Sequence, residues 1–508
     1  MNTSIRRVAA LLMACFVVLF AQLNVIQVVN APRLNDRADN SRSIERDFNQ
    51  DRGDIVSADR KLLAHSQPTK EGKFKFQRQY PQGELFAHIV GSYSWIFGSD
   101  GVERTYNDEL AGQTTDFKIA GINPLSDVPN VGTVQLSLRV DVQQIAQDQL
   151  DGRNGSVVAM DPRTGAIIAM YSNPTYDPNT VSDNDSESAK AARALLLADP
   201  INPMLARTYR EKFAPGSTFK VVTAAAGLEA GVLSPAAPSF AKAKSYTPPL
   251  STRPIANFGK SECGGTLFEI TKVSCNSAFA ELGAEYVGGE HLVATAERFG
   301  FNKALPFDLP NAAAATLPSD FGKELRQNPQ PGRTPIVEDT PGLALASIGQ
   351  GDVAATPLQM VMVASAIANG GTLMVPHVMQ QVTDQQSKVM STYENRVFQT
   401  PITSETSAVL RQAMETTAAE GTAKLALIEG RKVGAKTGTA QIGNNESSHA
   451  WVIAYAGPPD GPPEIAVAVL VEAQPGVSEQ TGGQVAAPIA QRIMRAALVP
   501  VQPATTTK

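Results

Sequence analysis

Residues 214–222 read Ala-Pro-Gly-Ser-Thr-Phe-Lys-Val-Val, and the run continues as TAAAGLEAG, apolar and small. Lys220 thus falls in a hydrophobic helical pattern, three residues after Ser217. A charge on such a face is costly to bury unless it has a partner or a task. Residues three apart share a helix face, so the Lys220 amine and the Ser217 hydroxyl can meet. Pro215-Gly216 ahead of them is a helix-start signal. Backbone N–H groups are unpaired at a helix start and the dipole there favours negative charge. The Ser217 N–H can therefore face an oxyanion forming beside its own side chain. Burial disfavours the charged form of Lys220 and frees a neutral amine to act as a base. The same residues also fit a capping serine with a lysine that snorkels to solvent.

The four letters are weak alone, because Ser239-Phe-Ala-Lys242 repeats them in the Pro/Ala-rich stretch LSPAAPSFAKAKSYTPPL. Nothing in that loop-like sequence fixes a geometry. Two further motifs separate the copies. Ser274-Cys275-Asn276 opens the helical segment SAFAELGAEY, whereas a look-alike, Ser182-Asp183-Asn184, lies in an acidic loop before the S-x-x-K. Lys436-Thr437-Gly438, extended through Thr439 as KTGTAQ, occurs once, in a strand-like stretch. Taken singly, these read as a helix cap and a strand with a glycine bulge.

Other chemistries lack their signatures. The five histidines (65, 88, 291, 377, 449) form no H-x-x-x-H pair and no Cys/His cluster, so no metal site and no cofactor are expected. There is no G-x-S-x-G elbow and no Walker loop. A net charge of −5 over 508 residues argues against nucleic acid as a partner. Hydrophobic residues make up 43 %, enough for packed cores, and the length implies more than one domain.

Arg6 and Arg7 precede an uncharged stretch from Val8 to Pro32, long enough to span a bilayer of roughly 20 helical residues. No A-x-A site follows its apolar core, so it reads as an uncleaved signal anchor with a cytoplasmic tail at 1–7 and the span at 8–30. A cleaved signal peptide is the other reading, and both export the chain. Residues 33–62 are dense in mixed charge and lead into a small domain ending near 150. A larger domain spans 151–498, and 499–508 reads as a disordered tail. Helical patterns lie at 217–229, 277–299, 341–370 and 404–419. Strand patterns lie at 431–442, 451–457 and 464–472, with a hairpin at 154–173 turning on Asp161-Pro162-Arg163-Thr164-Gly165. Late consecutive strands after helices predict an α+β fold, an antiparallel sheet with helices packed on it. Cys263 and Cys275 lie in the exported part, where a disulfide is permitted; two buried thiols are equally open.

An exported chain carrying Ser217-x-x-Lys220, Ser274-x-Asn276 and Lys436-Thr437-Gly438 in that order matches the triad of penicillin-binding proteins and serine β-lactamases. The chain resembles the class B penicillin-binding proteins, monofunctional peptidoglycan transpeptidases, from the anchor to about residue 498. RGDIVSADRKLLA (52–64) is similar to their pedestal motif, with Lys61 where glycine is usual, and GVERTYNDELAG (101–112) to a second. DPRTGAIIAM, NPTYDPN (173–179) and SIGQGDVAATPLQM (347–360) look familiar too. The short pedestal, the S-C-N form and the lack of C-terminal repeats most resemble the actinobacterial members. No glycosyltransferase domain fits before 150.

The resemblance implies a sheet with helices on both faces and a pedestal, or dimerisation-like, domain over 33–150. It implies that Ser217 attacks D-Ala-D-Ala, that Lys220 takes its proton, and that Ser274, tuned by Lys436, relays a proton to the leaving amine. Asn276 would bind the substrate amide, and Thr437 and Thr439 its carboxylate beside Gly438. The N–H groups of Ser217 and Thr439 would form the oxyanion hole. Stem peptides on a lipid-linked precursor, the membrane and division-complex proteins are the implied partners, with β-lactams as covalent inhibitors. A D,D-carboxypeptidase or β-lactamase-like hydrolase is the alternative, and a non-catalytic β-lactam sensor or scaffold a further one.

Overall fold

The computed structural model describes residues 3–25, 47–114, 131–441, 448–474 and 480–500. The three late strand patterns fold as Lys432–Gln441, Ser448–Gly457 and Ile465–Val471. The last of these pairs with Gly155–Met160 of the early hairpin, whose second strand is Ile167–Asn173. One five-stranded antiparallel sheet results, with Lys432–Gln441 at one edge and Ile167–Asn173 at the other. Every residue of Ile465–Val471 is buried, as a strand covered on both faces requires. Val140–Leu150 and Ala487–Ala497 pack together on one side. Pro357–Ala368, buried along all 12 residues, and Ser404–Glu420 fill the other. Each Val or Leu buried there contributes about 1.5–3 kcal/mol through removal of apolar surface from water.

Two helical patterns are interrupted. The run 341–370 divides into Thr340–Ala346 and Pro357–Ala368. Between them Gly349 takes φ +70°, and Thr356 caps the second helix with Pro357 in its first turn. A side chain on Gly349 would collide with the carbonyl oxygen of Gly216, so the break is where the chain passes under Ser217. The run 277–299 becomes Asn276–Glu281, a π-helical turn Leu282–Val287, and Gly288–Arg298.

A second sheet of six strands runs in the order 389–392, 379–383, 133–136, 55–56, 62–68, 76–79. Its first two strands come from late in the chain and join the two bodies. The two pedestal motifs meet beside it. Arg52 Nε lies 2.7 Å from Glu103 Oε2, and Arg78 Nε 2.6 Å from Glu103 Oε1. Burial alone would raise the Glu103 pKa, but Arg78 and Arg52 hold it below the usual carboxylate value. At the N-terminus Thr3–Asn24 is one helix, and Ile5–Asn24 is long and apolar enough to cross a membrane. Residues 26–30 of the expected span, 33–46 and 115–130 of the small domain, and 501–508 of the tail lie outside the described residues.

Candidate active site

Ser217 sits in a tight 3-10 turn, Gly216–Phe219, that runs straight into the helix Lys220–Glu229. The turn is held from two sides. Gly216, at φ +52°, donates its N–H to Gly349 O at 2.9 Å. Across from this it rests on the edge strand, where a Cβ on Gly438 would come within 3.0 Å of Pro215 O and Thr218 Cγ2. Gly438 is therefore the position that lets strand and serine turn approach. Thr218 Oγ1 donates to Pro215 O at 2.7 Å, and Phe219 packs edge-on against Phe301.

Lys220 is fully buried, one turn below Ser217. Its amine donates to Asn276 Oδ1 at 2.6 Å and to Ser274 O at 2.7 Å, and lies 3.4 Å from Ser274 Oγ. Among the described residues Ser217 Oγ makes no hydrogen bond, so here the lysine engages the Ser274 motif and the serine is free to meet a ligand. Burial, and then the neighbouring charge of Lys436, hold the Lys220 pKa well below its ordinary value. Lys436, also fully buried, donates to Ser274 Oγ and to Thr437 O, each at 2.8 Å, and burial lowers its pKa to about 7.

Ser274 stands between the two amines because of how its helix ends. After Leu267–Lys272, Ser274 adopts φ +59°, its N–H bonds Thr271 O at 3.1 Å and Cys275 N–H bonds Ile270 O at 2.9 Å. That is a Schellman ending with serine at the position glycine usually takes. A left-handed serine costs roughly 1–2 kcal/mol, and in return its hydroxyl points between Lys220 and Lys436 while its carbonyl accepts from Lys220. The next helix starts at Asn276, whose Nδ2 donates to Ala256 O at 2.9 Å. Cys275, the N-cap, is bonded to Cys263, tying this junction to the strand Cys263–Gly265.

On the edge strand Thr437 is 6 % exposed and its Oγ1 lies 2.6 Å from Thr422 Oγ1; Thr439 is half-buried two residues on. Ser217, Lys220, Ser274, Asn276 and Lys436 thus converge, with Thr437, Gly438 and Thr439 forming the wall beside the serine turn. The look-alikes are elsewhere. Ser239 and Lys242 are exposed, the lysine on the short strand Phe240–Ala243 rather than in a loop. Asn184 braces the small domain through Gln77, Phe76 and Trp95. Sequence reasoning did not identify Ala256, Asn257 or Thr422, which carry no motif and are brought in only by the fold. Among the described residues no cluster of three His, Cys, Asp or Glu side chains is placed to hold a metal ion.

A hydroxyl at a turn, a buried amine beneath it whose pKa is held well below the ordinary value, and a second hydroxyl between two amines are groups that can relay protons in acyl transfer. Residues 155–495 match the penicillin binding protein transpeptidase domain, and 52–126 match the penicillin binding protein A dimerisation domain. The chain is 37 % identical to the peptidoglycan D,D-transpeptidase PbpA of Mycolicibacterium smegmatis, over 98 % of this chain and 99 % of that one. It is 33 % identical to PbpA of Mycobacterium tuberculosis with the same coverage. The structure of penicillin-binding protein A from M. tuberculosis as a ceftriaxone acyl-enzyme superposes with a TM-score of 0.79 at 32 % identity, covering 89 % of this chain and all of that one.

Proposed function

Because the chain belongs to the penicillin-binding protein transpeptidase family, we propose that it is a peptidoglycan D,D-transpeptidase acting through an acyl-enzyme on Ser217. The observation that carries the reading is the setting of the Lys220 amine, buried one turn from Ser217 and within hydrogen-bond reach of Ser274 O, Asn276 Oδ1 and, at 3.4 Å, Ser274 Oγ. With its pKa held well below the ordinary value by burial, its unprotonated form is the base that accepts the Ser217 proton. Ser217 Oγ then attacks the carbonyl of D-Ala-D-Ala, and the N–H groups of Ser217 and Thr439 receive the oxyanion. Ser274, donating toward the leaving nitrogen, is resupplied from Lys220 and Lys436 and releases D-Ala. Asn276 orients the stem-peptide amide, and the hydroxyls of Thr437 and Thr439 take the terminal carboxylate. The amine of a neighbouring stem peptide repeats these steps in reverse and closes the cross-link. A β-lactam enters as the donor does and leaves a stable ester on Ser217.

The apolar helix Ile5–Asn24 with Arg6 and Arg7 at its start supports a single-pass anchor with the catalytic body outside the cytoplasm, where the Cys263–Cys275 bond is stable. We assign 33–150 to the pedestal and 151–498 to the transpeptidase body, except that the helix Val140–Leu150 packs on the transpeptidase sheet and the strands 379–383 and 389–392 complete the small-domain sheet. We count division-complex proteins among the partners of an enzyme so anchored. The test is labelling of the full chain with fluorescent penicillin, followed by cross-linking of lipid-linked pentapeptide. A long-lived label lost in Ser217→Ala, together with dimeric cross-linked product, is the expected result. Rapid release of the label, or release of D-Ala with no cross-link, would replace this reading with a hydrolase.

A further inference from the structure

Asn276 is gripped at both ends of its amide, by Lys220 Nζ at Oδ1 and by Ala256 O at Nδ2. The residue after that carbonyl, Asn257, is 4 % exposed and uses its whole side chain. Its Nδ2 donates to Ala243 O at 2.7 Å and to Ser261 O at 3.0 Å. Its Oδ1 accepts from Ser277 N at 2.8 Å and lies 3.8 Å from Cys275 Sγ. The amide orientation is fixed by this network, since turning it over would set Oδ1 against two carbonyls and Nδ2 against an N–H. Cys275 is the N-cap of the Asn276 helix, yet the side-chain acceptor for the first turn comes from Asn257, nineteen positions before Asn276 by residue number.

We propose that Asn257 is a positioning residue for acylation: it caps Ser277 N–H, places the adjoining Ala256 carbonyl on Asn276, and so aims Asn276 at the Lys220 amine. Capping and grip come from consecutive residues of one chain, so Asn276 cannot turn without breaking one of them. The disulfide Cys263–Cys275 joins the same two segments independently. It keeps them together, while Asn257 sets their orientation. Misplacing a reacting group by about 1 Å costs on the order of 100-fold in rate, and Asn276 controls where the Lys220 lone pair points.

This rests on the reading of Ser217 and Lys220 given above, and the experiment separates the two. Acylation of the full chain by a fluorescent penicillin is followed at several concentrations, yielding the acylation rate constant and the Kd of the preceding complex. In Asn257→Ala the rate constant is expected to fall by about 10- to 100-fold with Kd within threefold of the parent. The Tm should fall, because Ser277 N–H and two carbonyls lose a buried partner, but the fraction of folded protein finally labelled should remain near parental because the disulfide keeps the two segments together. Asn257→Asp keeps the acceptor for Ser277 N–H and, with burial and the two carbonyls favouring its protonated form, donates to only one of those carbonyls, so it should fall between parent and Asn257→Ala. If Asn257→Ala does not fold, Asn257→Asp carries the test. A folded variant that acylates within threefold of the parent overturns the proposal. So does a loss confined to Kd or to the labelled fraction, which is what a merely structural role would give. Persistent labelling of Ser217→Ala would instead overturn the reading of the site.

Discussion

Ser217-x-x-Lys220 and Ser239-x-x-Lys242 share their letters and nothing else. The first is a 3-10 turn running into a buried helix, clamped between Gly349 and the Gly438 edge. The second runs into a short strand, where residues three apart point to opposite faces, and both side chains are exposed. In one, a lysine is stripped of water and given acceptors on Ser274 and Asn276; in the other, it is solvated. Function follows from the environment that shifts a pKa and fixes a direction, and spacing is only its precondition.

The strongest way to break this contrast is at the two serines. Ser217→Ala should lose fluorescent-penicillin labelling by at least about 10⁴-fold, as removal of a nucleophile does, while Ser239→Ala labels at the parental rate. Equal loss in both would end the distinction. At the lysines, Lys220→Met should slow acylation by about 10²- to 10⁴-fold, the usual worth of a positioned base, and Lys242→Met should leave it unchanged. Stability adds a second readout. Below its ordinary pKa near 10.4 the unfolded chain binds a proton on Lys220 that the folded chain refuses until far lower pH, so the parent loses stability as pH falls through that window. Lys220→Met is spared this, so its Tm relative to the parent should be higher at pH 7 than at pH 10. No such difference is expected for Lys242→Met.

The pH profile sharpens the comparison further. As pH falls through the depressed Lys220 pKa the base is protonated and acylation efficiency declines on the acid side. As pH rises past about 7, Lys436 discharges and its pull on Ser274 weakens, producing an alkaline limb. Efficiency measured against pH should be bell-shaped with that limb near 7. An alkaline limb only above 10 would mean that Lys436 keeps its charge in the site.

Much of this was legible because it is local. The late strands announce themselves as apolar runs, and three motifs in order identify the chemistry. What sequence could not display is long-range. Residue spacing offers Ser217 as the partner of Lys220, whereas the fold delivers Ser274 O and Asn276 Oδ1, more than fifty residues away in sequence. The Ser274 motif does open onto a helix at Asn276, but Ser274 also ends the helix before it, and the left-handed turn that joins the two leaves no compositional mark when glycine is absent. The strands at 379–383 and 389–392 are exposed or half-buried for most of their length, so their place in the small-domain sheet had no hydrophobic alternation to reveal it.

The smallest expected effects lie in two glycines that share a left-handed backbone and differ in what surrounds them. Gly349 has φ +70° and Gly231, just ahead of the second S-x-x-K, has φ +69°. Alanine at either adopts an unfavourable conformation costing about 1–2 kcal/mol. At Gly231 a Cβ meets nothing within 4 Å, so that strain is the whole cost and acylation should be unaffected. At Gly349 the Cβ also strikes Gly216 O and crowds the Phe219 side chain, the atoms that hold the serine turn. Gly349→Ala should therefore lower Tm by more than Gly231→Ala and slow acylation as well, by a factor read directly from the penicillin label. Equal destabilisation with unchanged acylation in both would show that the serine turn keeps its geometry without the Gly349 contact, and that the clamp separating the two copies is weaker than their packing indicates.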